Sequence, residues 1–444
     1  MRFKSLIILL IFCTNALVQA QGEFYLDKKK SDKIKFELIN NLIVFPVEVN
    51  GVELSFLLDT GVSKPIIFNF LNISEALQIN QTEKIFIKGL GDGLAIEALK
   101  SVNNIFRVGD AINFKQELFA IFDPSFNFAP QLGVPIHGII GYDFLKDFIV
   151  EINYVQRHLR LMNIDTYKQK KCKRCEVFDL EFNSNKPYID GFATVHDKEV
   201  PVKLLIDSGG SDALWLFEDQ ESLISVPENN FEDFLGRGLS GTVYGKRSRI
   251  KEFRLNRFKL KNVNAAFPDS SAIHIAKRFK ERSGSLSGDI LKRFTVIFDY
   301  SRKKVKLRPN RYFDDPFTYN KSGMVLEHDG VRPVKVARKT VTKSSFLNSD
   351  NTNLAQFGMN LSGGYEYLLA PSFKIVELRY GSPALEAGLQ VGDVILNING
   401  RGAHSFTLQE IMQHFYDDTG KTIKMTIDRN GMQLRYKFNL KDIL

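Results

Sequence analysis

The sequence predicts a mainly β chain, a two-lobed closed-β fold formed by internal duplication and followed by a smaller β module. Three observations predict it. A short acidic motif occurs twice, Asp59-Thr60-Gly61 and Asp207-Ser208-Gly209, 148 residues apart, each closing an apolar run (Phe56-Leu57-Leu58 and Leu204-Leu205-Ile206). Further landmarks repeat in step with that motif. Short alternating strands separated by turns run through both halves, as a bilobal closed-β fold requires.

The repeat is read from its beginning. Lys35-Phe36-Glu37-Leu38 through Val47-Glu48-Val49-Asn50-Gly51 resembles Val177-Phe178-Asp179-Leu180 through Ala193-Thr194-Val195-His196-Asp197. In the first copy Phe45, Val47 and Val49 alternate with Pro46, Glu48 and Asn50, a strand pattern ending in an Asn50-Gly51 hairpin turn. Val200, Val202 and Leu204 repeat the alternation. Glycine-rich turns follow, Gly89-Leu90-Gly91-Asp92-Gly93 and Gly238-Leu239-Ser240-Gly241, beginning 30 and 31 residues after their acidic motifs. Ile139-Ile140-Gly141-Tyr142-Asp143-Phe144-Leu145-Lys146 answers Leu286-Ser287-Gly288-Asp289-Ile290-Leu291-Lys292, with Gly141 and Gly288 lying 82 and 81 residues after Asp59 and Asp207. Each copy closes on a hairpin, Ile149 to Leu161 and Thr295 to Leu307.

These paired landmarks, over about residues 35 to 310, resemble the pepsin-like and retropepsin-like aspartic peptidases. In that family each lobe donates one Asp to a shared site. The resemblance implies that Asp59 and Asp207 are catalytic, that Thr60 and Ser208 lock the opposing loops, and that Gly61 and Gly209 allow close approach and supply backbone donors. Two adjacent carboxylates cannot both ionise cheaply, so they share a proton and titrate as a unit. One then takes a proton from water while the other protonates the scissile carbonyl; sequence does not say which. The glycine-rich turns with Gly89, Gly91, Gly93, Gly241 and Tyr244 occupy the place of flaps that cover a substrate.

Three departures from the family stand out. Val62 and Gly210 follow the motifs where a hydroxyl or Ala is usual, which removes hydrogen bonds to the outer carboxylate oxygens and implies a working pH nearer neutral. The first flap lacks pepsin's Tyr. Ser287 replaces an apolar residue.

The ends of the chain add two further parts. Residues 1–20, with Arg2 and Lys4 before an apolar stretch and Ala20 at a cleavage point, read as a secretory signal peptide too short to span a bilayer. A lipoprotein signal at Cys13 is disfavoured by the bulky Phe12. The protein is therefore expected to be exported, periplasmic or extracellular, with no transmembrane segment after cleavage. Cys172 and Cys175 would then form a disulfide on the interlobe linker; a redox role lacks its βαβ setting, and scattered histidines give no metal spacing. No cofactor is expected. The net charge of +9 is dispersed, so no nucleic-acid partner is expected either.

At the other end, Gly381-Ser382-Pro383-Ala384, Ala387-Gly388-Leu389 and Gly392-Asp393-Val394-Ile395-Leu396-Asn397-Ile398-Asn399-Gly400 resemble a bacterial PDZ domain. The resemblance implies a groove that takes an extended peptide as an added strand and holds its carboxylate on backbone amides. The carboxylate loop is expected at Ser322-Gly323-Met324-Val325, in preference to Ser362-Gly363-Gly364-Tyr365, with a long polar insertion (about Gly330 to Asn360) after it. A groove-lining helix from Leu408 to Phe415 carries Leu408 and Ile411. The domains expected are thus signal peptide 1–20, lobe one 21–168, lobe two 169–315 and PDZ 316–444. The functional expectation is an exported aspartic endopeptidase acting on peptide or protein substrates, with a PDZ peptide ligand. The alternative is a catalytically inactive peptide-binding protein of the same fold. A single-lobed enzyme that dimerises is disfavoured because both motifs lie in one chain.

Overall fold

The computed structural model describes residues 22–27, 30–68, 77–79, 81–123, 126–169, 171–219, 221, 223–337 and 365–444. The expected leader, Cys13 and Ser362-Gly363-Gly364 lie outside these residues. The chain is mainly β, and it divides into a unit built mostly from the residues up to Tyr319 and a unit built mostly from Asn320–Asp442. No helix among the described residues is long and apolar enough to cross a membrane.

Why the first unit folds as it does is visible in its first hairpin. Strands Leu42–Val49 and Val52–Leu58 pair antiparallel around Asn50 and Gly51, both with positive φ, as a tight two-residue turn requires. Phe45, Val47 and Val49 are buried, so period-two alternation has placed the apolar face inward. The corresponding hairpin, Lys186–Val195 with Lys198–Asp207, makes the same turn with His196 and Asp197.

The same pairing pattern recurs in both lobes. In lobe one, Gly138–Ile140 runs parallel to Val52–Leu58 and antiparallel to Ile66–Ile67, which in turn runs parallel to Ala111–Ala120. In lobe two, Gly284–Ser287 runs parallel to Lys198–Asp207 and antiparallel to Leu214–Leu216, which runs parallel to Phe258–Pro268. A third sheet joins the lobes. It has six strands, and its centre is Ile149–Asn153 paired antiparallel with Phe294–Asp299 in a register that matches Glu151 to Ile297.

One landmark shifts. The amides of Tyr142 and Gly288 both bond back to the residue after the acidic motif, Tyr142 to Val62 O at 3.0 Å and Gly288 to Gly210 O at 2.8 Å. Tyr142 therefore corresponds to Gly288, and Gly141 to Ser287, not to Gly288 as the sequence comparison had it. The two short helices Tyr142–Leu145 and Gly288–Leu291 fit this alignment, beginning directly after Gly141 and Ser287. The glycine is needed in lobe one because a β-carbon at Gly141 would fall 2.0 Å from Asp59 O.

The disulfide joins Cys172 and Cys175, and Arg257 Nη2 holds that loop through the carbonyls of Lys173 and Cys175 at 2.9 and 3.0 Å.

The second unit is a separate β module. Its described sheet orders Met324–Ala337, Tyr365–Leu378, Val394–Ile398, Thr422–Arg429 and Met432–Asn439, with Arg401–Gly402 paired on Val394–Ile398. Helix Leu408–Gln413 opens on a capping box in which Thr407 and Glu410 bond reciprocally. The expected polar insertion after Gly330 is partly strand: Val331 to Ala337 pair with Pro371 to Tyr365 in one long hairpin.

Candidate active site

Each acidic motif sits where a buried strand ends. Val52–Leu58 delivers Asp59 and Lys198–Asp207 ends in Asp207, and each loop then turns against the other lobe. Thr60 N donates to Ser208 Oγ at 3.1 Å and Ser208 N to Thr60 Oγ1 at 3.0 Å. The hydroxyls donate onward, Thr60 Oγ1 to Ile206 O at 2.6 Å and Ser208 Oγ to Leu58 O at 2.8 Å. Both side chains are fully buried, and these four hydrogen bonds satisfy the amides and hydroxyls of Thr60 and Ser208 and fix the loops against each other. The structure brings Asp59, Thr60, Gly61, Asp207, Ser208 and Gly209 together.

The glycines set the carboxylates. A β-carbon at Gly209 would fall 2.4 Å from Asp59 Cγ, and one at Gly61 would lie 3.7 Å from Asp207 Oδ1, so each carboxylate rests against the other lobe's glycine. Each also accepts from its own motif: Gly61 N reaches Asp59 Oδ1 at 2.7 Å and Gly209 N reaches Asp207 Oδ1 at 3.0 Å. Burial, and after it the Asp207 charge, push Asp59 up to about 7, against the Gly61 amide and the Lys186 charge. Burial also raises Asp207, opposed by the Arg282 charge, the Gly209 amide, Lys186 and the Gly210 amide. A pair with one proton between them and a water in reach can perform general acid and base catalysis.

The turns of the first hairpins reach across as well. Asn40-Asn41 and Ser184-Asn185 both adopt positive φ. Asn41 Nδ2 donates to Ser211 O at 2.8 Å and Asn41 Oδ1 accepts from Lys292 Nζ at 3.0 Å, while Ser63 Oγ donates to Ser184 O at 2.9 Å.

The two glycine-rich turns clasp each other. Ser240 N donates to Leu90 O at 2.8 Å, Gly93 N to Ser240 O at 2.6 Å and Gly89 N to Ser240 Oγ at 3.0 Å. A β-carbon at Gly91, where φ is +120°, would lie 2.5 Å from Ser240 C, and one at Gly241 2.9 Å from Asp92 Oδ1. Tyr244 is not at the tip; it lies within strand Gly241–Leu255, about half exposed, with its ring edge-on to Phe234.

Two cations escaped the sequence reading. Lys186 begins the strand next to Asp207, and Arg282 lies buried two residues before Gly284. Comparing the hairpin turns Asn41-Leu42 and Asn185-Lys186 would have shown an apolar residue replaced by a cation. Among the described residues, no cluster of three or more His, Cys, Asp or Glu could hold a metal ion.

In the C-terminal module the expected ligand loop is bonded to itself. Ser322 N and Gly323 N both donate to Asn320 Oδ1, at 3.0 and 3.1 Å, and Met324 N donates to Ser322 Oγ at 3.1 Å. Three amides expected to hold a carboxylate are already taken by the loop's own side chains. Val325 lies in the strand, opposite Glu377. Met324, Leu408 and Ile411 are buried in the module's core instead of lining an open groove.

Comparison with known families agrees with this division. The family model for an aspartyl protease matches residues 45–144, a segment that contains Asp59-Thr60-Gly61 and ends in the helix after Gly141. The family model for a PDZ domain matches residues 348–428. The chain therefore carries an aspartyl protease domain followed by a PDZ domain.

Proposed function

We propose that this protein is an exported, two-lobed aspartic endopeptidase in which Asp59 and Asp207 activate one water between them. The observation that carries the reading is the crossed clamp of Thr60 and Ser208, which fixes two partly enclosed carboxylates against each other's glycines. Reading the lobes as a duplication is supported by their shared pairing pattern. The PDZ module is proposed to bind peptide, and the signal-like leader supports a periplasmic or extracellular location. Incubation of the purified chain with unfolded protein at pH 4 to 8 should give fragments, and Asp59→Asn or Asp207→Asn should slow their appearance by about 10²–10⁴-fold or more. Fragments at equal rates from the double variant would overturn the assignment.

A second reading has its own observation. The joined flap tips favour a binding protein that does not turn over. It predicts affinity for unfolded chains with no cleavage at any pH.

A further inference from the structure

The two aspartates sit in matched frames with unmatched surroundings. Continuing the register that pairs Tyr188 with Leu205 by two residues sets Lys186 opposite Asp207. In lobe one the register that pairs Val44 with Leu57 sets Leu42 opposite Asp59. The parallel strands align Gly284 with Leu204 and Gly138 with Phe56, which makes the buried Ile136 the counterpart of the buried Arg282. At two matched positions, an aliphatic side chain in lobe one is a cation in lobe two.

Neither cation has a carboxylate partner of its own. The Lys186 ammonium makes no hydrogen bond or ion pair among the described residues; burial and then the Arg282 charge lower it, and Asp59 and Asp207 supply the charges that oppose this. Arg282 donates to Gly284 O at 3.0 Å and to Ser285 Oγ at 2.8 Å, bonds the Tyr188 hydroxyl and lies over the Phe217 ring at 5.2 Å. The carboxylate charge that it feels is that of Asp207. A buried guanidinium without a counter-charge is costly, so the cation and an ionised Asp207 require each other. The remaining titratable neighbours are phenols: Tyr188 beside Asp207 and Arg282, and Tyr300, backed by Tyr142, beside Asp59. Each carboxylate accepts from one amide of its own motif, Asp207 from Gly209 and Asp59 from Gly61, so the amides do not account for the difference.

We propose that lobe two polarises the pair, so that Asp207 carries the negative charge and acts as the base while Asp59 holds the proton and acts as the acid, with Lys186 and Arg282 as positioning residues. This rests on the peptidase reading above. Asp207 takes a proton from water as its oxygen bonds to the carbonyl carbon, and Asp59 gives its proton to the carbonyl oxygen, leaving a neutral diol. Asp207 then passes its proton to the amide nitrogen as the C–N bond breaks, and Asp59 recovers a proton from a diol hydroxyl as the carbonyl re-forms. Both carboxyls return to their starting states.

The test reads the carboxyls directly and needs no turnover. In the full chain labelled with carboxyl-¹³C aspartate, with Asp59→Asn and Asp207→Asn used for assignment, Asp207 should ionise before Asp59. Lys186→Met should move the Asp207 midpoint up by about one pH unit, within the range expected for losing a nearby cation, and Lys186→Arg should restore it. Where cleavage is measured, the acid limb of the kcat profile should move with that midpoint. Ionisation of Asp59 first, or an Asp207 midpoint indifferent to Lys186→Met, overturns the proposal. A titration as expected without cleavage keeps the polarity and refutes the peptidase; cleavage with an unmoved acid limb does the reverse.

Discussion

Lobe one and lobe two share a strand order and a crossed clamp, yet they surround their aspartates differently. Lobe one has Leu42 and Ile136 at the positions where lobe two, by Asp207, has Lys186 and Arg282. The frame is symmetric and the electrostatics are not. The backbone geometry that makes the clamp tolerates little change, because each hydroxyl answers a buried amide and a buried carbonyl of the opposite lobe. Side chains one strand away are free to differ, and there a matched scaffold can acquire two distinct chemical roles.

The strongest way to break the comparison is through its symmetric part. Ser208→Ala orphans the Thr60 amide and the Leu58 carbonyl, and Thr60→Ala orphans the Ser208 amide and the Ile206 carbonyl. Each unpaired group should cost about 1–3 kcal/mol. Urea denaturation should show similar losses from the two variants, and a double variant losing less than their sum. A loss confined to one half would show that the clamp is not shared.

A smaller effect sharpens the asymmetric part. The Asp59 carboxyl is raised in the folded chain from 3.8 to about 7, so the neutral form stabilises the fold. That contribution is complete below 3.8 and is lost as pH rises through about 7. Asp59→Asn should therefore raise Tm at pH 8 and leave it nearly unchanged at pH 3. Asp207→Asn should gain less at pH 8, because it leaves Arg282 without a carboxylate charge. Thermal melts of both variants across this range check the sign; equal gains at pH 8 would erase the difference between the lobes.

The smallest effect contrasts the first unit with the second. Asn320→Ala frees the Ser322 and Gly323 amides, which should tighten binding of a peptide with a free C-terminal carboxylate severalfold and leave its C-terminal amide unaffected. Fluorescence polarisation with the two peptides reads this. Equal affinities before and after would mean that this loop is not where a carboxylate is received.

Much of this was legible in the residues. The clamp was written in two Asp-hydroxyl-Gly triplets, and the first hairpin in the alternation of Phe45, Val47 and Val49 with a turn at Asn50-Gly51. The alignment of Gly141 with Gly288 slipped by one because it was keyed on a shared glycine; Asp143-Phe144-Leu145-Lys146 against Asp289-Ile290-Leu291-Lys292 gives the register the backbone adopts. Lys186 stayed hidden because its place opposite Asp207 depends on hairpin register, across a turn ten residues further on. Arg282 stayed hidden because no local pattern marks a cation that a distant strand carries inward. The engagement of Ser322, Gly323 and Met324 was illegible for a related reason: Asn320 acts through a side chain folded back on its own loop.

The crossed clamp also bears on how the molecule comes into being. The loop at Asp59 has its partners in Ser208 and Gly209, and until that stretch has left the ribosome the nascent first half holds one carboxylate with nothing to oppose it. On the peptidase reading proposed above, a cell gains a delay from this arrangement: the centre needs both motifs, so it is assembled only when synthesis has passed the second one.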